Sequence, residues 1–416
     1  MTSAIDEIFA RVLPLIRPAE KDLLPVVSGF LKQVNALLKD MKINATAVIG
    51  GSIAKGTFLK DDHDCDIFVK FNPSYPDEKL SDLLAVALKS LSLERVHGSR
   101  DYFHVDDAKH HLRYELVPVL DISDPAQARN VTDMSPLHVA WVKKHAQFAD
   151  DIRLAKQFCK ASGVYGAESF IKGFSGHVLD ILVIHYRGFE NLLKASLAWK
   201  PKEVIDVVNY YKGTALKRLN PAKIESPIIV IDPVLHERNA AAVLSTEKLH
   251  KFVKAAQGFL ARPETLYFEI KNQTPALVKK KAGKNPVVLL CVSPVDGKTD
   301  VVGAKILWIF THLKRALEEG GFQLLDADWS WDKKSDALLW YILERAEVAP
   351  VKKHPGPQLS QKKRVIDFKA KHKKTFVEGD RIYTYLKRPH TKAKDLVTAV
   401  IAESSIAERT KQTKML

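Results

Sequence analysis

Two aspartates separated by one residue, Asp64 and Asp66, lead into a β-rich run that ends at Phe71. Side chains of a strand alternate between its two faces, so both carboxylates project from one face and Cys65 from the other. Neighbouring carboxylates repel each other unless cations lie between them. The pair therefore predicts phosphoryl transfer with two Mg²⁺ ions about 3.5–4 Å apart.

A third carboxylate is expected from a neighbouring strand, and Glu115 is the acidic residue in the strand candidate at 113–120. Upstream, Gly51-Ser52 opens a short segment whose backbone N–H groups suit a triphosphate, with a hydroxyl from Ser52 and a charge from Lys55. An Asp-x-Asp pair alone is also typical of solvated turns. The ordered set is more restrictive and indicates a catalytic site.

The elements that would position these residues follow from apolar spacing and breakers. A helical lead-in, which Pro14 and Pro25 should break into shorter pieces, precedes a compact α/β unit and a mainly helical stretch. A further α/β part begins near Pro263. The predicted strands are 46–49, 66–71, 113–120, 287–292 and 337–343, and the predicted helical regions are 4–40, 77–91, 151–211 and 304–318.

The charge of the chain is concentrated at one end. Residues 351–416 hold 17 Lys or Arg against 6 Asp or Glu, a net +11 of the +15 carried by all 416 residues. This charge favours a polyanionic partner, although solubility alone could require it. Four aromatic residues interleave with the lysines and indicate a folded region rather than a disordered tail. They are Phe368, Phe376, Tyr383 and Tyr385.

Several classes of protein are disfavoured. Cys65, Cys159 and Cys291 lie far apart and offer neither zinc-ligand spacing nor a disulfide framework. The most apolar run, 178–184, is short and contains Asp180, so no membrane segment is expected. A cytoplasmic location fits these features. The basic run 279–284 is interpreted as a solvated loop rather than a specific RNA contact.

The Gly-Ser pair, the Asp-x-Asp on a strand and the third carboxylate beside Val-Pro together resemble the polymerase-β-like nucleotidyltransferase superfamily. Within it, four segments resemble archaeal (class I) CCA-adding enzymes, which build the CCA end of tRNA from CTP and ATP. Those segments are 132–138, 153–168, 172–176 and 232–245. The resemblance implies an α/β multidomain chain. Its parts would be a catalytic head (1–140), a helical neck (141–258), an RNA-recognition-motif-like body (259–350) and a basic tail contacting tRNA (351–416).

The resemblance also implies roles for single residues. Asp64, Asp66 and Glu115 would hold both metal ions, and Glu115 stands where the family generally has Asp. Nucleotide contacts are implied for Ser52, Lys55, Arg100, His138, Lys156, Tyr165 and Arg238. For three of these residues the sequence is also compatible with a purely structural role. Lys156 could lie at the surface, His138 could fill a turn after Pro136, and Arg238 could be an ion-pair partner of Asp232.

The function implied is stepwise, template-independent addition of C, C and A to the tRNA 3′ end with release of pyrophosphate. The tRNA would be held at its acceptor stem and elbow, and either a monomer or a homodimer is compatible with the sequence. One alternative is an enzyme of the same superfamily with another acceptor, such as a poly(A) polymerase or an oligoadenylate-forming nucleotidyltransferase. Another is a non-catalytic RNA-binding scaffold, which the cost of clustered carboxylates without a metal disfavours.

Overall fold

Asp64 and Asp66 lie on the second strand of a five-stranded sheet in the computed structural model, which describes residues 3–18, 20–60, 62 and 64–416. The chain divides into unit 1, which ends at Ile270, and unit 2, which begins at Lys271. Among the described residues, no helix is both long and apolar enough to span a membrane.

Unit 1 begins with helices, continues through the sheet and ends in a mainly helical region. Its helices are α1 (Ala4–Ile16), α2 (Glu20–Asp40), α3 (Gly51–Lys55), α4 (Leu80–Ala87), α5 (Ser135–Lys143), α6 (Ala149–Ala161), α7 (Gly176–Tyr186), α8 (Phe189–Ser196), α9 (Ala215–Arg218) and α10 (Thr246–Ala261). Its strands are β1 (Ala45–Ile49), β2 (Asp64–Phe71), β3 (Glu94–Val96), β4 (Tyr102–Asp107), β5 (Leu112–Leu120), β6 (Glu203–Ile205) and β7 (Ile228–Val230).

The five-stranded sheet has the order β1-β2-β5-β4-β3, and its central strands β2 and β5 run parallel. Strand β2 is apolar on both sides after its two aspartates, as expected of a strand covered on both faces. Cys65, Ile67 and Val69 pack in a core with residues of α2 and α4, while Phe68 packs in a separate cluster with Val139 of α5. This covered sheet fixes the position from which the carboxylates project.

The prolines of the lead-in do not break it where the sequence predicted. Pro14 lies inside α1, which ends at Ile16, and Pro25 lies inside α2, which begins at Glu20. Pro14 has no N–H to donate to the preceding turn, so α1 lacks one hydrogen bond near its C-terminal end but continues to Ile16. Burial of Val12 and Ile16 and of Val27 and Val34 holds the two helices against different parts of unit 1.

The helical region of unit 1 is built on aromatic packing. Phe158 of α6, Phe189 of α8 and Phe259 of α10 are fully buried, and the ring centroids of Phe158 lie 5.5 Å from Phe189 and 6.1 Å from Phe259. Phe9 of α1 adds a stacked contact with Phe259 at 6.0 Å. The helix α7 is buried along most of its length and brings Asp180 into the interior.

Unit 2 contains a four-stranded sheet and a smaller three-stranded one. Its helices are α11 (Pro275–Ala282), α12 (Thr299–Gly320), α13 (Lys362–Lys371), α14 (Ala393–Ile401) and α15 (Ser404–Ala407). Its strands are β8 (Val287–Pro294), β9 (Leu324–Ser330), β10 (Ala337–Leu343), β11 (Val351–Gln358), β12 (Thr375–Glu378), β13 (Arg381–Lys387) and β14 (Thr410–Met415).

The four-stranded sheet has the antiparallel order β14-β8-β10-β9, so the end of the chain pairs with a strand more than a hundred residues earlier. Helices α12 and α14 pack with one face of β8 and β10 around Ile306, Leu313, Leu339 and Val397. Residues 351–387 form the separate sheet β11-β13-β12 with α13. The segment 351–416 thus contains both this separate sheet and the last helices and strand of the larger one. The division of the chain into four parts stays a prediction.

The lysines of the basic run at 279–284 are exposed to solvent, as the sequence predicted, but the run continues a helix rather than forming a loop. Residues up to Ala282 continue α11, which begins at Pro275 after Thr274, whose hydroxyl accepts the N–H of Leu277 at 3.3 Å. Val278 and Ala282 are buried one turn apart against Leu289 and Trp340. Burial of this apolar pair at helical spacing stabilises a helix here, although the surrounding residues are lysines.

Candidate active site

The turn between β1 and α3 lies directly against the first carboxylates. The N–H of Gly50 donates to the backbone oxygen of Asp66 at 2.8 Å. Gly51 has a φ of +52°, and a Cβ added there would lie 1.6 Å from Oδ2 of Asp66. A side chain at position 51 would therefore collide with the carboxylate, and this turn requires glycine.

Three carboxylates meet at the parallel pair of strands. Asp66 of β2 is in register with Glu115 of β5, and Asp64 precedes Asp66 on the same face. Burial raises the pKa of Asp66 to about 6, and the charges of Glu115 and Asp64 add to this effect. Burial also raises the pKa of Glu115, whose Oε2 lies 3.3 Å from Nε2 of His104. Such a cluster of oxygen ligands suits divalent cations, which would relieve the repulsion.

A cleft of about 470 Å³ opens beside these carboxylates. Six of the residues singled out from the sequence line it, together with Gly51 and the unpredicted His177. The six are Lys55, Asp66, Arg100, Glu115, His138 and Arg238. Ser52, Asp64, Lys156 and Tyr165 are not among its lining residues.

Lys156 and Tyr165 nevertheless converge at the start of α7, next to the cleft-lining His177. A Cβ added to Gly176 would lie 3.2 Å from the hydroxyl of Tyr165 and 3.6 Å from Cε of Lys156. Lys156 is buried, its ammonium donates to the backbone oxygen and hydroxyl of Thr57 at 3.0 and 3.1 Å, and burial lowers its pKa. A surface role for Lys156 is therefore excluded.

Lys55 is already paired within the protein. Its ammonium lies 2.7 Å from Oδ2 of Asp180, and the side chains are 12% and 1% exposed. Burial raises the pKa of Asp180, but the charges of Lys55 and Lys156 and the interaction with His177 together outweigh it and hold the pKa below its ordinary value. The salt bridge joins α3 to α7 and leaves Lys55 at the wall of the cleft.

Arg100 lines the cleft, but its guanidinium is largely committed to neighbouring groups. Nη1 donates to Oδ1 of Asp133 at 2.5 Å and to the backbone oxygen of Pro118 at 2.9 Å, and Nη2 pairs with Asp77. Asp133 is fully buried and also accepts the backbone N–H groups of Leu120, Arg129 and Asn130. These contacts indicate that Arg100 organises the wall of the cleft.

Replacing Asp133 with alanine should lower the free energy of unfolding by about 3–5 kcal/mol, because it removes the fully buried carboxylate partner of the Arg100 guanidinium and leaves three backbone donors without an acceptor. Asp82→Ala is the matched control, since Asp82 forms an exposed ion pair with Arg95 at 2.8 Å and should cost about 0–1 kcal/mol. Urea unfolding of unmodified protein and both variants measures the difference. Equal losses would mean that the Arg100–Asp133 pair is not structural.

A second cluster of polar side chains also lines the cleft. His138 of α5 and His177 of α7 have ring centroids 4.1 Å apart, and both lie beside the fully buried Asp232. Nε2 of His138 is 3.0 Å from Oδ1 of Asp232, and Nη1 of Arg238 donates to Oδ2 at 3.0 Å. Burial lowers the pKa of His138 to about 4. The Arg238 side chain remains 38% exposed.

The sequence did not single out His177, Asp133 or Asp180, and it considered Asp232 only as an ion-pair partner. The Arg238–Asp232 pair does form, but partial exposure of Arg238 at the cleft leaves it able to contact a ligand. The signals were weak because each of these residues is an isolated polar side chain in an apolar or turn-rich segment. Side-chain partners that identify them are distant in sequence: Arg100 lies 33 residues from Asp133, and Lys55 lies 125 residues from Asp180.

A sheet that places an Asp-x-Asp pair and a third carboxylate beside a Gly-Gly-Ser turn defines a polymerase-β-like nucleotidyltransferase. Residues 28–137 match the nucleotidyltransferase domain, 150–269 the second domain of tRNA nucleotidyltransferase, and 305–412 the C-terminal domain of CCA-adding enzyme. The chain belongs to the family of archaeal CCA-adding enzymes.

Relatives of that family are similar over most of the chain. A CCA-adding enzyme of Nanoarchaeum equitans is 34% identical over 82% of this chain and 83% of its own length. One of Thermococcus gammatolerans is 30% identical over 91% and 86%. Among solved structures, the Cid1 RNA terminal uridylyl transferase is similar in fold, with a TM-score of 0.51 and 13% identity over 64% of this chain and 98% of that one.

Proposed function

We propose that this protein adds C, C and A to the 3′ end of tRNA, using CTP and ATP and releasing pyrophosphate. The observation that carries the proposal is the register of Asp66 with Glu115, beside Asp64, at the edge of a cleft that Arg238 also lines. This arrangement offers a metal-binding edge and a group able to contact a base within one cleft. The identity of the acceptor and of the two nucleotides is inferred from the family.

The carboxylates fit divalent metal ions, because burial and mutual repulsion raise the pKa of Asp66 and a bound cation would offset both effects. Asp64, Asp66 and Glu115 would hold two Mg²⁺ ions. Such ions lower the barrier to attack of the terminal 3′-hydroxyl on the α-phosphate and stabilise the charge on departing pyrophosphate. His104, 3.3 Å from Glu115, would hold that carboxylate toward the other two.

Positive and hydroxyl groups near α3 and α7 would bind the triphosphate. Lys55 at the cleft wall, Lys156 and Tyr165 at the start of α7 and Ser52 on α3 are the groups proposed for this role. Lys156 is held by Thr57, and Lys55 by Asp180, so both ammonium groups occupy fixed positions before a nucleotide arrives. Fixed donors stabilise developing charge without the cost of reorganisation.

Base selection would depend on Arg238 and His138, which line the same cleft. A guanidinium presents its donors in a planar fork, which suits the acceptors on the edge of a base. His138 remains neutral above about pH 4, and its Nε2–H donates to Asp232, so its Nδ1 is left as a hydrogen-bond acceptor. Arg100, committed to Asp133, would shape the pocket behind them.

The test is incubation with tRNA that lacks its CCA end, with each nucleotide alone and in combination. The proposal predicts ordered addition of C, C and A that then stops. Continuous tailing with ATP alone would support a poly(A)-polymerase activity instead, and incorporation of no nucleotide in the presence of Mg²⁺ would support a binding scaffold. Gel analysis at single-nucleotide resolution distinguishes these outcomes.

Arg238→Lys should preserve the fold but weaken nucleotide discrimination, because an ammonium cannot reproduce the fork of a guanidinium. Loss of one good bidentate contact should cost about 1–3 kcal/mol, so UTP and GTP should be incorporated about ten- to a hundredfold more readily relative to CTP and ATP. Single-turnover incorporation of each nucleotide at saturating tRNA measures the ratios. Unchanged ratios would make Arg238 structural.

For unit 2, we propose a body of the RNA-recognition-motif type. The chain order from β8 through α12, β9, β10 and α14 to β14 is that of the split βαβ arrangement, interrupted by residues 351–387. One sheet face packs on α12 and α14, and the other is covered by α11 through Trp340 and Leu289. Because both faces of the four-stranded sheet are covered, we expect the inserted segment 351–387 to make the contact with RNA.

The inserted segment 351–387, here called the basic module, supports an RNA-binding role by its chemistry. It holds 11 Lys or Arg against 3 Asp or Glu. On one face of its sheet, the Phe376 ring lies 5.1 Å from Tyr385, and Nζ of Lys353 is 4.2 Å from the ring of Tyr383. Tyr385 is exposed and the other two rings are half-buried, and aromatic rings beside lysines suit the bases and phosphates of RNA.

A further inference from the structure

The carboxylate of Asp232 divides its two oxygens between two tasks. Oδ1 accepts the backbone N–H groups of Val234 and Leu235 at 2.9 and 3.2 Å. Nε2 of His138 lies 3.0 Å from each of the two oxygens and so bridges them. Oδ2 accepts Nη1 of Arg238 at 3.0 Å. One oxygen therefore holds the turn and the other holds the guanidinium.

The turn also closes on itself at Arg238. The backbone N–H of Asp232 donates to the backbone oxygen of Arg238 at 3.0 Å, so the two ends of the 232–238 segment are fixed to each other. Asp232 is fully buried, whereas the Arg238 side chain is 38% exposed and lines the cleft. The inner end of the ion pair is thus rigid and its outer part faces the cleft, where a nucleotide would lie.

The charges of the cluster also favour the pairing of Asp232 with Arg238. A buried carboxylate is costly without a countercharge, and the permanently charged guanidinium supplies one. His138 is held neutral by burial and contributes a hydrogen bond rather than a charge. His177 faces the same carboxylate, with Nε2 3.5 Å from Oδ2 of Asp232.

We propose that Asp232 is a positioning residue that fixes the guanidinium of Arg238 for nucleotide selection. The inference rests on the proposed function, since it concerns the choice among nucleotides at that same cleft. Asp232 touches no reacting atom in this account. It acts by restricting an otherwise flexible side chain to one orientation, which lowers the entropy lost when a base binds.

A metal ion held by His138, His177 and Asp232 is the competing interpretation, since one ligand atom of each lies within 4.8 Å of the others. The guanidinium already occupies Oδ2 of Asp232, and a second cation there would have to displace it. The imidazole rings also lie against each other, 4.1 Å apart and tilted by 41°. The ion pair is therefore the favoured arrangement.

Asp232→Asn isolates the proposed task. The amide must keep its oxygen toward Val234 and Leu235, because both backbone groups are donors, and this places the NH₂ group against Arg238. The turn is preserved while the guanidinium loses its acceptor. Asp124→Asn is the matched control, since Asp124 begins a similar Asp-Pro turn in which Oδ1 accepts the N–H of Ala126 at 2.9 Å.

The experiment measures kcat/KM for CTP against UTP on tRNA lacking CCA, and for ATP against GTP on tRNA ending in CC. We expect Asp232→Asn to reduce each ratio about tenfold to a hundredfold, with Asp124→Asn unchanged. In an Arg238→Ala background, Asp232→Asn should have no further effect on the ratios. Thermal unfolding of each variant verifies that the fold is retained.

Three results would overturn the proposal: unchanged ratios in a folded Asp232→Asn variant, an equal loss of rate for all four nucleotides, or an additive effect on top of Arg238→Ala. Stoichiometric Zn²⁺ binding to the unmodified protein that Asp232→Asn and His177→Ala both abolish would favour the metal interpretation. Absence of ordered CCA addition by the unmodified protein would instead contradict the proposed function itself, so the two failures are distinguishable.

Discussion

Replacing Asp66 with alanine is expected to abolish incorporation of both CTP and ATP while tRNA binding stays nearly intact. Asp66 lies in register with Glu115 and against Gly51, so no neighbouring side chain can take its place in a metal site. Asp64→Ala should have the same effect. Single-turnover assays with each nucleotide, together with tRNA binding, measure both consequences. Incorporation above about a tenth of the unmodified rate in either variant would contradict the assignment.

The control for this loss is the stability of the variant itself. Burial raises the pKa of Asp66 to about 6, whereas the unfolded chain has a value near 3.8. The ionised carboxylate therefore disfavours the folded, metal-free protein, and this penalty develops as the pH rises from about 4 through 6. Metal-free Asp66→Ala should unfold no more readily than the unmodified protein at pH 7. An inactive variant that is also unstable would leave the carboxylate with a packing role.

Asp106→Ala provides a matched carboxylate outside the cluster. Asp106 lies on β4 of the same sheet, pairs with Arg113 at 2.7 Å and is 61% exposed. Its removal should leave incorporation unchanged. Loss of activity in this variant would mean that the assay reports the integrity of the sheet rather than the metal ligands.

Three of the five strands of the catalytic sheet, β1, β2 and β5, were predicted from the sequence because they carry strong local patterns, whereas β3 and β4 were not. The run 64–71 alternates two aspartates with apolar residues, and Glu115 stands alone among apolar neighbours, so both strands were recognised. A local sequence pattern does not show which strand pairs with which. The parallel register that brings Asp66 to Glu115 depends on a connection of about forty residues. Packing in the interior fixes this register, and the sequence of neither strand specifies that packing.

The features that the sequence did not reveal likewise depend on contacts between residues distant in the chain. Strand β14 has the sequence Thr-Lys-Gln-Thr-Lys-Met, a polar pattern that carries no core signal, and it is held as an edge strand by hydrogen bonds to β8. Arg100 was expected at the nucleotide, and it does line the cleft. Its partner Asp133 lies 33 residues further along the chain, in a turn whose capping pattern says nothing of a buried arginine.

Excision of the basic module, 351–387, is expected to weaken tRNA binding and to flatten its salt dependence. The excision is designed on the backbone: the N–H of Arg388 donates to the oxygen of Pro350 at 2.8 Å, so a short glycine linker can join these residues. Deleting all of 351–416 would be uninformative, because it removes β14 and the buried Val397 and Val400 from the core of unit 2.

If the module neutralises about four to six phosphates, the logarithm of the binding constant for unmodified protein should fall with log salt at a slope near −3.5 to −5.5. The excised protein should show a smaller slope and a higher KM for tRNA, with kcat at saturating tRNA retained because the carboxylates lie in unit 1. A charge variant that changes exposed lysines of α13 to glutamine should give an intermediate slope. Those lysines are Lys362, Lys363, Lys369 and Lys371. A slope unchanged by excision would place the RNA contact outside the module, because loss of 11 cations cannot leave counterion release unaffected at a site they occupy.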